Sequence, residues 1–125
     1  MTVAYSSELA PNGLMNHMNE AVTNLSRLVS EYHDMLIRAV KAEALYRELY
    51  AKTYLEVKAS GDKMTVTEID ARVTERVKDA KFEADMADAL VKAKREEMDV
   101  ERKSIEVAQS ALAWSRTELE HTVVT

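Results

Sequence analysis

The stretch Ser-Gly-Asp-Lys-Met-Thr-Val-Thr-Glu, residues 60–68, decides the fold of this chain. Gly61 can adopt the left-handed backbone conformation that commonly ends helices. Thr65 and Glu68 have the S/T-x-x-E spacing of a capping box, in which each side chain accepts a hydrogen bond from the other residue's backbone N–H. The stretch therefore predicts that one helix ends near residue 59, that residues 60–64 form a turn, and that a second helix begins near residue 65.

The segment before this turn has the periodicity of a helix that is packed along its length. No glycine or proline occurs between Gly13 and Gly61, and apolar residues recur in steps of three and four, the spacing of one helix face. The first row is Met18, Val22, Leu25, Val29, Tyr32, Leu36, Ala39, Tyr46, Tyr50 and Val57, and the second is Ala21, Leu28, Met35, Ala42 and Leu49. Because Pro11, Asn12 and Gly13 form a turn signal, we expect an irregular arm over 1–13 and a helix over about 14–59.

The segment after the turn has no helix breaker and carries two apolar rows. The first row is Ile69, Val73, Val77, Ala80, Ala84, Ala87, Val91, Met98, Ile105, Leu112 and Leu119, and the second, at strict intervals of seven, is Met86, Ala93, Val100, Val107 and Trp114. Side chains two positions apart on a helix point in nearly opposite directions, so a single neighbouring helix covers only one row. The pattern predicts an all-α fold, a long antiparallel helical hairpin with coiled-coil-like packing, whose second helix runs over about 65–121.

The uncovered row favours assembly into a homo-oligomer. Burying one large apolar side chain contributes about 1.5–3 kcal/mol, which a lone hairpin would forgo at each exposed position. The segment from Ser104 to the C-terminus has few charged residues, as the centres of protein interfaces do. We therefore place the oligomer interface at Val100, Val107, Leu112 and Trp114. The alternative is that this end of the helix is buried within its own hairpin.

Composition and motifs argue against several classes of function. The chain has no cysteine and a net charge of −5, which suits a soluble cytoplasmic protein and argues mildly against strong non-specific binding to nucleic acid. It begins without a signal-peptide pattern and contains no apolar run long enough to span a membrane. The three histidines, His17, His33 and His121, lack the spacing of metal ligands, and phosphate-binding loops are absent. We expect a protein that is not an enzyme and has no cofactor or metal, with His33 partly buried beside the first helix's core.

Basic and aromatic residues near the turn raise the possibility of single-stranded nucleic-acid binding. Bases stack on aromatic rings while cations hold the phosphates. The candidate site is Lys58, Lys63, Arg72, Arg76, Lys78, Lys81 and Tyr54. The residues alone favour another interpretation of these cations. Acidic residues lie between them in the sequence, so the cations belong to an ordinary solvent-exposed helix face with ion pairs along it. By the same interpretation Tyr46 and Tyr50 continue the core row, which leaves Tyr54 as the most exposed of the three tyrosines.

The turn and the end of the second helix together carry a resemblance to a family. The run 54–63, Tyr-Leu-Glu-Val-Lys-Ala-Ser-Gly-Asp-Lys, leads from a helix into a Ser-Gly turn, and the second helix ends in Ser-Ala-Leu-Ala-Trp-Ser-Arg at 110–116. Over roughly residues 32–121 this layout resembles the UvsY-type recombination mediators of tailed phages. The resemblance implies an oligomeric ring in the host cytoplasm that binds single-stranded DNA and loads a recombinase onto strands covered by single-strand-binding protein. The acidic net charge departs from that expectation.

Two functions follow from these observations. The first is a non-enzymatic accessory protein of phage-type DNA recombination or replication, whose partners are single-stranded DNA, a recombinase and single-strand-binding protein. The second is a coiled-coil structural, scaffolding or chaperone-like phage protein that binds only protein. The two share a fold and differ in partner.

Overall fold

The computed structural model describes residues 11–124, with side chains over 11–121. This part of the chain consists of two helices and contains no strand. Helix α1 spans Pro11–Lys58, 48 residues, and helix α2 spans Val66–Val124, 59 residues without interruption. The predicted all-α class is confirmed.

Helix α1 begins at Pro11, not at about residue 14, so the predicted irregular arm is wrong at Pro11–Gly13. Proline is well suited to a first helical turn, since its ring presets φ and its missing N–H would have no partner within the helix there. Gly13 also lies within the helix and, unlike Gly61, does not have a positive φ. The rest of the predicted arm, residues 1–10, lies outside the described residues.

The turn between the helices has the expected chemistry. Ser60 donates its backbone N–H to the Val57 carbonyl at 3.2 Å and its hydroxyl to the same oxygen at 2.7 Å. Gly61 then has a φ of 87°, which glycine adopts at little cost. The backbone N–H of Glu68 donates to Thr65 Oγ1 at 3.2 Å, so Thr65 caps α2 as the sequence predicted.

The described residues fall into two compact units, each an antiparallel helix pair. The turn unit is Tyr32–Ala93, and the terminal unit contains residues 11–31 and 94–124. In the turn unit, Val57 packs with Ile69, Val73 and Val77 of α2. Half-buried residues surround this cluster: Tyr46, Tyr50, Tyr54 and Met64.

The core of the terminal unit follows an interval of seven residues along α1. Leu14, Ala21 and Leu28 are buried there, together with Met98 and Ala108 of α2. Each step of seven is nearly two full helical turns, so these α1 side chains share one narrow face. This spacing selects the second of the two predicted α1 rows in this unit.

The observed burial corrects several positions of the predicted core, and Leu36 and Leu49 are among those that are exposed. Val22 is 52% exposed because it lies about 100° around the helix from buried Ala21. Leu119, the last residue of the predicted first row of α2, is 58% exposed. Thr53 is buried although the predicted row omitted it. Its spacing between Tyr50 and Val57 fits the row, but the row was chosen from apolar residues alone.

Candidate interaction surface

An exposed apolar row on α2 is the main surface feature of the terminal unit. It consists of Val100, Val107 and Trp114, which are 65%, 69% and 66% exposed; we call these three residues the outer row. Seven helical residues rise about 10.5 Å, so the three side chains stand at regular intervals along one helix face. No other part of the described chain covers these side chains, as we predicted from the two apolar rows of the second helix.

Leu112, the fourth residue of the predicted interface, does not belong to this face. It is half-buried, and it precedes Trp114 by two positions, which turns its side chain about 200° away. It belongs, with buried Met98, to the first predicted row of α2, the row that begins at Ile69; we call this the inner row. The structure therefore brings together three of the four predicted interface residues.

A groove between α1 and α2 runs beside the outer row in the terminal unit. It has a volume of about 810 Å³, and Val100 and Val107 form part of its wall. Leu14, Ala108 and Ala111 provide further apolar lining. The apolar surface available to a partner in this unit thus extends beyond the outer row itself.

Three polar contacts join the two helices of the terminal unit. Ser104 Oγ lies 2.9 Å from His17 Nε2, and Asn24 Nδ2 donates to Glu101 Oε1 at 3.0 Å. The third contact is an ion pair between Glu31 and Lys94. These contacts occupy the inner side of α2 and leave the outer row uncovered.

The Glu31–Lys94 ion pair is the most shielded charged contact of the unit. Lys94 Nζ donates to Glu31 Oε2 at 2.8 Å, and the lysine side chain is only 11% exposed. This hydrogen bond, followed by that from Arg27, lowers the pKa of Glu31 from its usual 4.5. The same bond to Glu31 raises the pKa of Lys94 above 10.5, against the opposing effect of burial.

The predicted nucleic-acid residues all lie in the turn unit, but they do not share a patch. Arg72 and Arg76, four apart, lie on one flank of α2, whereas Lys78 and Lys81, three apart, lie on another. The step from Arg76 to Lys78 turns about 200° around the helix. Two cations near the turn, Lys58 and Lys63, are exposed.

Acidic neighbours neutralise several of these cations. Lys78 pairs with Glu75 at 2.9 Å, and Lys81 lies 3.5 Å from Asp85. Arg72 lies 3.9 Å from Asp62. Within residues 11–121, the cations of the set that have no ion pair are Lys58, Lys63 and Arg76.

Tyr54 is half-buried, as Tyr46 and Tyr50 are, so it does not stand out as an exposed ring of the tyrosine ladder. Its ring stacks on Tyr50 with centroids 6.4 Å apart and planes at 28°, and it packs against the hydrophobic cluster of the turn unit. Tyr50 donates its hydroxyl to Asp70 Oδ1 at 2.8 Å, a bond that raises the pKa of Tyr50. The ladder thus serves the core, as the alternative interpretation held for Tyr46 and Tyr50.

His33 is also misplaced by the sequence prediction. It is exposed, and its ring meets the edge of Tyr32 with centroids 6.1 Å apart. It follows half-buried Tyr32 and thus points away from the core side of α1. Across the described residues, no group of three or more acidic, histidine or cysteine side chains is placed to hold a metal ion.

Sequence reasoning missed an exposed apolar patch of the turn unit. Phe82, Met86 and Leu90 are all exposed, at intervals of four along α2. Met86 belonged to the predicted second row, but Phe82 and Leu90 were left out. The spacing of four was the available signal, since it places side chains on one helix face.

Together, these features define an all-helical protein of two long helices with uncovered apolar side chains on α2. No family model, curated protein or solved structure matches the chain. Neither helix is long and apolar enough in its described residues to cross a membrane.

Proposed function

We propose that this chain is a self-associating coiled-coil protein that acts by binding protein, in a structural, scaffolding or chaperone-like role. The observation that carries the proposal is the outer row. Its three large apolar side chains are each about two-thirds exposed in the single chain. A neighbouring helix is the simplest element that covers a row at seven-residue intervals.

The chemistry of the surrounding segment supports a protein partner. Trp114 is the kind of residue that dominates binding energy at protein interfaces. Between Ser104 and Thr117 the only charged residues are Glu106 and Arg116, so docking a second helix requires little desolvation of charge. Covering the outer row contributes up to about 1.5–3 kcal/mol for each side chain, before the entropy lost on association is subtracted.

Sedimentation equilibrium over a wide concentration range tests the proposal. The wild-type chain should form a defined oligomer, and Val107→Glu should shift its mass towards the monomer. Gln109→Glu is the matched control, since it adds the same charge to an exposed position of the same helix. A wild-type chain that stays monomeric at high concentration, or a Val107→Glu variant that associates as the wild type does, contradicts the proposal.

A second candidate is the DNA-recombination accessory function implied by the family resemblance. It is supported by Lys58, Lys63 and Arg76, which are exposed and have no ion pair within residues 11–121. An oligomer would repeat such weak phosphate contacts and add them by avidity. Recombinase and single-strand-binding protein would then be the protein partners of the same assembly.

Fluorescence anisotropy with labelled oligo-dT at low salt tests this candidate. Binding should weaken as salt is added and on the double change Lys58→Ala and Lys63→Ala. Lys92→Ala is the control, because Lys92 is already paired with Asp88 at 3.0 Å. If the oligomer gives no signal at tens of micromolar, the DNA function is excluded and the protein-binding function stands.

A further inference from the structure

Polar residues alternate with the outer row along the same helix face. Lys103 lies three residues after Val100 and four before Val107, so it belongs to the same helix face. Continuing the steps of four and three gives a seam in the terminal unit, and every member is exposed: Glu96, Val100, Lys103, Val107, Ser110, Trp114 and Thr117. This alternation is that of a coiled-coil seam.

The two charges in this seam disfavour a parallel pair of identical helices. In a parallel, in-register pair each seam residue meets its own counterpart in the other copy. Lys103 would then face a second lysine between two layers of valine, and Glu96 would face a second glutamate. Like charges brought together in a partly desolvated seam repel strongly.

An antiparallel pair removes both clashes. If the two-fold axis lies between Val107 and Ser110, then Val107 meets the partner's Ser110 and Val100 meets the partner's Thr117. Lys103 meets the partner's Trp114, and the symmetry makes this contact twice. A lysine above an indole ring is a favourable cation–π arrangement, and the lysine stem covers the ring's apolar surface.

Lys103 is available for this contact. It is exposed and makes no ion pair within residues 11–121. The chain already uses the same chemistry in the turn unit, where Lys81 Nζ lies 5.5 Å from the centroid of the Tyr46 ring. The complementarity of cation and indole thus selects both the direction and the register of the pair.

We propose that two copies of this chain pair antiparallel along this seam, with Lys103 of each copy on the partner's Trp114. The inference rests on the self-association proposed above and specifies its partner as a second copy in a fixed orientation.

Distances between spin labels measure the orientation directly, because the chain has no natural cysteine. Labels are attached to Ser110→Cys and, in a separate sample, to Glu120→Cys, both at exposed positions. In the antiparallel pair the two labels at 110 lie close to the axis, whereas those at 120 are separated by about 35 Å along the helices, from a rise of 1.5 Å per residue. A parallel pair gives short distances at both positions.

Variants of Lys103 give a second, independent readout. In the antiparallel pair, Lys103→Gln removes the cation from the indole and should weaken association at least threefold, while Lys103→Arg retains it and should leave the dissociation constant nearly unchanged. In a parallel pair Lys103→Gln relieves repulsion and strengthens association. Sedimentation equilibrium of the wild type, Lys103→Gln and Lys103→Arg measures the dissociation constants and shows whether Lys103→Gln weakens or strengthens association.

The outcomes separate this inference from the proposed function. An oligomer with short distances at both label positions, or one tightened by Lys103→Gln, overturns the antiparallel arrangement and leaves self-association intact. A monomer at all concentrations overturns both. A short distance at 110 with a long one at 120, together with the expected order of the Lys103 variants, supports the pair as described.

Discussion

The turn unit and the terminal unit contain the same two helices, but different side chains hold the helices together. In the turn unit, Val57 packs on the branched side chains of Ile69, Val73 and Val77, and a tyrosine ladder covers the cluster. In the described part of the terminal unit, the buried residues are the large Leu14, Leu28 and Met98 and the small Ala21 and Ala108. Contacts from His17, Asn24 and Glu31 to α2 accompany this core, whereas the Tyr50–Asp70 hydrogen bond joins the helices of the turn unit.

This difference suggests that two kinds of contact make separate contributions to a helix pair: apolar packing stabilises it, and polar contacts fix its register. Apolar rows at seven-residue intervals supply stability, but a slip by one heptad restores much of the same packing. A polar contact between two particular residues penalises the slip, since a partly buried donor or acceptor then loses its partner. We infer that the turn unit mainly supplies stability, while the Glu31–Lys94 pair and its neighbours fix the register of the terminal unit.

The largest expected effect on stability comes from truncating Leu28, the most deeply buried residue of the terminal unit. Leu28 is 1% exposed, and Leu28→Ala should lower the free energy of unfolding by about 2–5 kcal/mol. Hydrogen exchange should show the loss of protection concentrated in residues 11–31 and 94–121, with the turn unit less affected. The measurement is urea unfolding combined with exchange read by mass spectrometry.

Val22→Ala is the control for that experiment, since Val22 is half exposed on the same helix. It should change stability by well under half the amount seen at Leu28. Equal loss of protection in both units would show that they unfold as one cooperative element, and the division of tasks would then be wrong.

The next effect concerns the turn. Gly61 has a φ of 87°, and a Cβ at this position would meet no atom within 4 Å. Gly61→Ala therefore adds only backbone strain, about 1–2 kcal/mol for a left-handed conformation. Gly13→Ala should act in the opposite direction, stabilising by about 0.5 kcal/mol, because Gly13 lies inside α1. Thermal unfolding of both variants checks the two signs, and destabilisation by both would mean that Gly13 is required for packing.

Much of this fold was accessible from the sequence because its signals are local. Gly61 and Thr65 act through their own backbone, so the turn was predicted within a residue. The inner row of α2 was correct from Ile69 to Met98, since no other face of that segment is equally apolar.

Predictions of burial failed at positions where burial depends on residues distant in the sequence. Val22 and Ala21 were both plausible core positions, and only the location of α2 buries one and exposes the other. Tyr54 was expected at the surface because Tyr46 and Tyr50 continue the core row, but it also packs against the turn-unit cluster. The candidate cations are a different case, because the helical rotation that separates Arg76 from Lys78 follows from their spacing and was not taken into account.

The smallest predicted effect is the pH dependence of the stability that the Glu31–Lys94 ion pair contributes to the terminal unit. Hydrogen bonds from Lys94 and Arg27 lower the pKa of Glu31 below 4.5. A carboxyl group with a lowered folded-state pKa stabilises the fold above its ordinary pKa, and this stabilisation is lost as the pH falls through the folded-state value. The stability advantage of the wild type over Glu31→Gln should therefore be constant near neutral pH and shrink below about pH 4.5, as measured by urea unfolding across the pH range.

Glu20→Gln separates this effect from general acid destabilisation, because Glu20 is exposed and forms no ion pair within residues 11–121. Its difference from the wild type should stay small over the same range. High salt should reduce the Glu31 effect only partly, since the Lys94 side chain is shielded from solvent and surface ion pairs are screened more completely. If the Glu31→Gln difference is flat in pH, the ion pair contributes no stability, and the register of the terminal unit must then depend on its apolar residues alone.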